Sequence, residues 1–210
     1  MRAVFVTGTG TGAGKTFACE KLLDEFWNLG ISAAPFKPIE TGVKIAPKDA
    51  KKLLKIALDR GAKLTINEVC PVTFALPAAP YVAGFCAKND LIKIKEAFAN
   101  LSAKFDLVLI EGAGGAFAPL DLDFFSIDLA TLFDAKILMI ANDKLGTIHN
   151  VLTTIEAIKN RVKENNFYWA ASVKNNMNFN EISAPYLSAK FPNFFQIPRD
   201  INLLAKELIK

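Results

Sequence analysis

The sequence predicts an α/β fold, a mostly parallel sheet covered by helices on both faces. Three observations carry that expectation. Short apolar runs alternate with stretches of helical periodicity along the 210 residues, the order from which parallel sheets are built. Several of the runs are apolar at consecutive positions, as in strands buried on both sides. No internal repeat, low-complexity tract or linker divides the chain, so residues 1–210 are expected to form a single domain.

Residues 2–7 read as the first buried strand. Ala18, Leu22, Phe26 and Leu29 share one helical face over 15–29, and Gly30 ends that helix. Ile31–Phe36 is a short strand running into Lys37-Pro38-Ile39-Glu40-Thr41-Gly42, a loop by its proline and glycine. A lysine-rich helix covers 48–60, with Asp49 near its start. Val69–Phe74 reads as a strand, and Leu76–Tyr81, with two prolines, as a loop entering a short helix. Leu91, Ile94, Phe98 and Leu101 mark a helix running to Lys104. Residues 105–111 make a buried strand that ends in an acid, followed by Gly112-Ala113-Gly114-Gly115. Ser126 is placed to cap a short helix over 126–133. Ala135–Asn142 is a further strand, and Leu145-Gly146-Thr147 opens a helix with Ile148, Val151, Leu152, Ile155, Ile158 and Val162 on one side. A strand over Phe167–Lys174 leads into the polar run Asn175–Asn178. A helix over 183–190 has Pro185 in its first turn. Phe194–Ile197 is the last strand, and Asp200 is expected to cap a C-terminal helix.

The composition, 51% hydrophobic and 22% charged, is that of a soluble globular protein. The net charge of +4 is spread along helix patterns, as where Lys51, Lys52 and Lys55 interleave with Leu53, Leu54 and Ile56. That argues for solvated helix faces rather than a nucleic-acid surface. Cys19, Cys70 and Cys86 are odd in number and form no C-x-x-C, which disfavours a disulfide framework or a structural zinc site. The first strand begins almost at once, and no apolar run reaches membrane-spanning length. A cytoplasmic protein with no nucleic-acid or membrane partner is expected.

Chemistry enters at Val4-Phe5-Val6-Thr7-Gly8-Thr9-Gly10-Thr11-Gly12-Ala13-Gly14-Lys15-Thr16. Strand, glycine-rich loop, Gly-Lys-Thr and helix stand in the order of a P-loop, so the fold is expected to be P-loop NTPase-like. Backbone N–H groups of such a loop cradle phosphate, and the following helix points its positive dipole end at the same anion. Lys15 would reach the terminal phosphates and the Thr16 hydroxyl would hold Mg²⁺. The strict G-x-x-x-x-G-K-[ST] pattern fails, because Thr9 stands where its first glycine belongs and Gly8 comes one residue early.

In a parallel sheet, ligands sit outside the carboxyl ends of the strands. The residues just past each strand therefore make up a candidate site. They are Lys37 and Thr41, then Glu111 with its glycines, then the Gly146-Thr147 helix start, then Asn175 and Asn176, then Pro198. Glu111 stands where a P-loop protein needs an acid for magnesium, and Thr16, Glu111 and Asp49 could together supply oxygen ligands. Spacing alone leaves Asp49 equally readable as a helix-start acid stabilised by the dipole. Lys37 offers a second cation for charge that develops in phosphoryl transfer. The single histidine, His149, lies in the first turn of a helix, so nucleophile–histidine and zinc chemistry have little to build on.

Taken together, these segments resemble the dethiobiotin synthetase family. V-T-G-T-G-T-G-A-G-K-T at 6–16, F-K-P-I-E-T-G at 36–42, Asp49-Ala50 with Leu53, P-V-T-F-A-L-P-A-A-P at 71–80, L-V-L-I-E-G-A-G-G at 107–115, K-L-G-T-I at 144–148 and Ile197-Pro198 come in its order. The family shares the shifted glycine. The resemblance implies ATP-dependent carboxylation of 7,8-diaminopelargonate with CO₂, through a carbamate phosphorylated by ATP, to give dethiobiotin, ADP and phosphate. It implies that Lys15 and Lys37 hold the carbamate and the transferring phosphoryl group. Gly12, Ala13, Gly14, Lys15, Thr16 and Phe17, with Gly112, Ala113 and Gly114, would surround the nucleotide, and Thr16, Asp49 and Glu111 would bind Mg²⁺. Asn175, Asn176 and Pro198 would contact the base. Thr11 and Thr41 would touch the diamine or its carbamate. Free N–H groups at Gly146, Thr147, Ile148 and His149, with Tyr186, would take the distant carboxylate from a partner subunit, so the resemblance implies a homodimer. Departures from the family pattern are Asn176 for an aspartate, Ala79 for a serine, Gly12 for an acid and Ala118 for a valine. Two other classes share this style of P-loop. Cobyrinate-type amidoligases usually add a glutaminase domain, for which the chain is too short, and ParA/MinD-type switch ATPases carry a lysine where Gly10 stands.

Overall fold

The computed structural model describes residues 2–162, 167–174 and 176–210, leaving aside the side chains of residues 176–178. In chain order the elements are β1 (Arg2–Gly8), α1 (Lys15–Asn28), β2 (Ala33–Phe36), β3 (Ile39–Thr41), α2 (Lys48–Asp59), α3 (Ile66–Val69), β4 (Val72–Phe74), α4 (Pro80–Ala83) and α5 (Ala87–Ser102). Next come β5 (Leu107–Glu111), α6 (Asp128–Leu132), β6 (Lys136–Asn142), α7 (Thr147–Arg161), β7 (Phe167–Ser172), α8 (Asn176–Ile182), α9 (Ala184–Lys190), β8 (Phe195–Ile197) and α10 (Ile201–Ile209).

Six strands form a sheet in the order β2-β5-β1-β6-β7-β8. Every pairing in it is parallel. Val4, Phe5 and Val6 are fully buried in succession, as are Leu107–Ile110, so both faces of these strands are covered. The chain leaves β1 toward β2 on one side but continues from β6 to β7 and β8 on the other. Right-handed crossovers then put α1 on one face and α5, α6 and α7 on the opposite one. Helices α2 and α10 pack beside α1. Reversal of direction at β1 opens a crevice outside its carboxyl end, where ligands of open α/β sheets bind. Pro35 is tolerated in β2 because that strand is an edge. Phe36, Phe98 and Phe133 meet beside β2, with the Phe98 and Phe133 rings stacked at 4.1 Å.

The structure corrects several sequence expectations. The segment read as a loop after Lys37 contains β3, which pairs in parallel with β4, Ile39 opposite Val72. The strand expected from Val69 starts at Val72, because Val69 closes the short helix α3. That helix has a reciprocal capping box between Thr65 and Glu68. Ser126 does not cap α6. The helix starts at Asp128, whose carboxylate accepts the Phe125 N–H at 2.7 Å, while the Ser126 hydroxyl is buried without a partner. Asp200 precedes α10, but its carboxylate accepts from the Gln196 N–H at 2.8 Å and from Arg199 rather than from the helix. Among the described residues, no helix is long and apolar enough to cross a membrane.

Candidate active site at the carboxyl end of the sheet

The loop between β1 and α1 is tied to its neighbours by backbone bonds. Thr9 N–H donates to Ile140 O at 3.0 Å, and Ala116 N–H donates to Gly8 O at 3.1 Å. Gly14 ends the loop as the N-cap of α1 with φ 99°, in the left-handed region. A Cβ there would also collide with the buried Ser172 hydroxyl oxygen, so glycine is needed both for conformation and for space. No side chain caps α1, and its first turn holds no acid. The amides of that turn, and the positive end of the dipole, are left for an anion.

Around this helix start the strand ends bring together a buried charge cluster. Lys37 follows β2, and Glu111 is the last residue of β5. Lys37 Nζ donates to Glu111 Oε1 at 2.8 Å and to Gly112 O at 3.1 Å. Their side chains are 5% and 1% exposed. Thr16 Oγ1 donates to the same Glu111 Oε1 at 2.9 Å. Burial works against the Lys37 charge, but the charge and hydrogen bond of Glu111 outweigh it and hold its pKa above the ordinary lysine value. Lys15 is shifted downward, first by burial and then by the nearby Lys37 charge. Its Nζ reaches back to Gly10 O at 3.4 Å.

These groups line a cleft of about 830 Å³. Of the residues expected from sequence, Thr11, Gly12, Gly14, Lys15, Thr16, Phe17, Lys37, Thr41, Asp49, Glu111, Ala113 and Gly114 line it. Ala13 is a buried residue of the loop itself, and Gly112 contributes its carbonyl to Lys37. Pro198 lies elsewhere, in a smaller cavity of about 290 Å³ with Val173, Asn180, Gln196, Ile197 and Arg199. Asn175 lies outside the described residues; Asn176 opens α8.

The α7 start does not line the cleft. One part of its expected role is corrected. Thr147 offers no free N–H, because that group donates to Lys144 O at 3.1 Å and its hydroxyl donates to Asn142 O at 2.7 Å. Gly146 and His149 are exposed, and so is Tyr186 on α9. Sequence reasoning missed Glu40, Glu20, Lys52 and Lys174, which also line the cleft. Pro47, with no side-chain acceptor to cap α2, was the available signal for Glu40.

The donor set suits magnesium. Glu111 Oε2 is buried and has no hydrogen-bond partner. A buried carboxylate oxygen left this way has lone pairs free for a cation or a water. Thr16 and Glu111 share a hydrogen bond, and Asp49 lines the same cleft. Two carboxylates and a hydroxyl beside a phosphate loop are the hard oxygen ligands Mg²⁺ takes. Among the described residues, no three His, Cys, Asp or Glu side chains gather as a cluster of the zinc kind. Cys19 and Cys70 are buried and burial pushes both thiols up, Cys70 to about 12.

A parallel sheet with a glycine-rich loop, an uncapped helix start and a Lys-Thr pair facing a strand-end acid defines a P-loop nucleotide-binding protein. A family profile described as an AAA domain matches residues 2–175. Two solved structures share the fold. One is the MinC:MinD cell division complex of Aquifex aeolicus, at TM-score 0.54 and 15% identity over 98% of this chain and 86% of that one. The other is a plasmid partition protein from Borrelia burgdorferi, at 0.56 and 9% over 99% and 96%. Sequence likeness is closer to another group. The ATP-dependent dethiobiotin synthetase BioD of Sulfurovum sp. is 35% identical over 99% of this chain and all of the relative. That of Wolinella succinogenes is 32% identical over 100% and 99%. The chain belongs to the ATP-dependent dethiobiotin synthetase family.

Proposed function

We propose that the cleft carries the reaction of this family, the ATP-dependent carboxylation and ring closure of 7,8-diaminopelargonate to dethiobiotin. The observation that carries the reading is the buried Lys37–Glu111 pair set beside Lys15 and the uncapped start of α1. One amine of the diamine adds to CO₂ and loses a proton, giving a carbamate. A carbamate oxygen attacks the γ-phosphorus of ATP and ADP leaves. The second amine attacks the carbonyl carbon, closing the ureido ring and expelling phosphate.

Backbone N–H groups from Gly12 to Phe17 bind the phosphates. Lys37, kept charged by Glu111, and Lys15 stabilise the negative charge that builds up between carbamate and γ-phosphate. Lys15 loses part of its cost of burial when an anion arrives, because its downward pKa shift comes from desolvation and a neighbouring cation. Thr16, Glu111 and Asp49 would hold Mg²⁺, which when bound draws charge from the phosphate oxygens. Thr11 and Thr41 sit on the cleft wall for the diamine end. Pro198 with its neighbours lines the base. The N–H groups of Ile148 and His149, with Gly146 and Tyr186, take the distant carboxylate across the interface of a homodimer, each protomer one domain. We place the enzyme in the cytoplasm.

The test is phosphate release from MgATP and bicarbonate with and without the diamine, with Lys15→Ala and Lys37→Ala as controls. Diamine-dependent release, with dethiobiotin seen by mass spectrometry and lost in both variants, is the expected result. Hydrolysis indifferent to the diamine overturns the reading.

A further inference from the structure

Glu40 is a buried carboxylate that the proposed chemistry leaves unused. It lies on β3 at 7% exposure, next to Thr41, and lines the cleft. Its two oxygens accept separate backbone N–H groups, Oε1 from Asp49 at 3.1 Å and Oε2 from Ala50 at 3.0 Å. Both donors belong to the first turn of α2. That turn cannot be capped from within. Its N-cap is Pro47, whose side chain accepts nothing, and the first helical bond runs from Lys51 N–H to Pro47 O at 3.2 Å. The amides of Asp49 and Ala50 would otherwise be orphaned. A carboxylate nine residues upstream takes the place of the missing cap, and its charge also suits the helix dipole.

We infer that Glu40 is a positioning residue that fixes Asp49 at the mouth of the phosphate site. Asp49 is the residue whose backbone Glu40 grips, and its side chain lines the cleft, where its charge acts on both Lys15 and Lys37. Without Glu40 the first turn of α2 is free to fray, and Asp49 moves with it. Lys37, Glu40 and Thr41 all lie within one five-residue segment, Lys37–Thr41. That segment therefore sets a phosphate-facing cation, the placement of an acid and a wall of the substrate cleft together.

The inference rests on the reading of Asp49 as a magnesium ligand, and the experiment separates the two. Mn²⁺ is titrated into the ADP-bound enzyme and followed by electron paramagnetic resonance, for wild type, Glu40→Ala, Glu40→Gln, Asp49→Asn and the double variant Glu40→Ala/Asp49→Asn. Losing an outer partner of a metal ligand weakens metal binding by about tenfold. Glu40→Ala and Asp49→Asn should each show that loss, and the double variant should lose no more than Asp49→Asn alone. Glu40→Gln, which keeps one acceptor, should fall between. Amide exchange at Asp49 and Ala50 should quicken in Glu40→Ala. In Glu40→Ala the half-saturating Mg²⁺ for turnover should rise. Unchanged Mn²⁺ affinity in Asp49→Asn overturns the reading of Asp49. Weakened affinity in Asp49→Asn with wild-type affinity in Glu40→Ala overturns the role of Glu40. Should Glu40→Ala fail to fold, wild-type affinity in Glu40→Gln overturns it instead.

Discussion

Two helices of this protein begin in the same way and meet different surroundings. Helix α1 has Gly14 at its N-cap with φ 99°, and α7 has Gly146 with φ 91°. Neither has a side-chain cap, and neither has an acid in its first turn. Around α1 the start is enclosed. Lys15 and Lys37 are buried beside it, Glu111 faces it, and Gly14 has no room for a Cβ. Around α7 the start is open. A Cβ on Gly146 would meet nothing within 4 Å, and Leu145 is 89% exposed. The same backbone device is thus enclosed by walls and cations only at α1, where strand ends supply them. In the proposed dimer the partner protomer would supply the walls that α7 lacks.

The largest expected effect comes from dismantling the α1 side. Removing Lys37 takes a cation from the site and leaves Glu111 charged and buried. Loss of one preorganised donor costs about 10²–10³ in kcat, and breaking a buried pair from one side costs about 3–5 kcal/mol. Lys37→Ala should therefore lose both turnover and stability. Lys37→Ala/Glu111→Gln should regain much of the stability and none of the turnover. Thermal melts beside phosphate-release assays check this. Equal loss of stability in the single and double variants would show that Glu111 is not what Lys37 neutralises.

A direct comparison of the two helix starts comes next. Gly14→Ala meets the left-handed φ and the Ser172 hydroxyl oxygen together. It should abolish ATP binding in a titration with the non-hydrolysed analogue. Gly146→Ala meets only the φ, a cost of about 1 kcal/mol. It should leave ATP binding intact and raise the KM for the diamine several-fold. If Gly146→Ala left the diamine KM unchanged, the proposed role of the α7 start would fall, and the α1 site would stand.

Much of this site was legible in the sequence because it gathers at strand ends. The buried runs at 2–7 and 105–111 announced β1 and β5, and the rule that ligands sit beyond such strands found Lys37 and Glu111 without knowing that they touch. What the sequence hid depends on partners far along the chain. Strand β3 is three residues long and exists through its pairing with β4, more than 30 residues on. Glu40 caps a helix it does not belong to. Ser126 had the right chemistry for a cap, but Asp128 bound the Phe125 amide and moved the helix start past it. At α7 the spacing correctly marked a helix start, yet the Thr147 side chain and amide turn inward to Asn142 and Lys144.

The smallest expected effect is at a third helix start, which acts as a control. Helix α3 is closed by its own residues: Glu68 accepts the Thr65 N–H at 2.8 Å and pairs with Lys104 at 2.8 Å. The hydrogen bond from Lys104, followed by those from Thr65, holds the Glu68 pKa below its ordinary 4.5. A carboxylate depressed on folding adds stability above its unfolded pKa and loses it as pH falls through the lower folded value. Glu68→Gln keeps the capping box but loses the charge, so it should be less stable than wild type by about 0.5 kcal/mol at pH 7. The gap should close as pH drops below 4.5. Turnover should be unaffected, because this cap faces no ligand. Denaturant titrations of both proteins across that pH range decide it. A gap that persisted in acid would assign the loss to packing of α3 rather than to the charged cap. A fall in turnover would mean that closed helix starts and open ones are not separate devices in this fold.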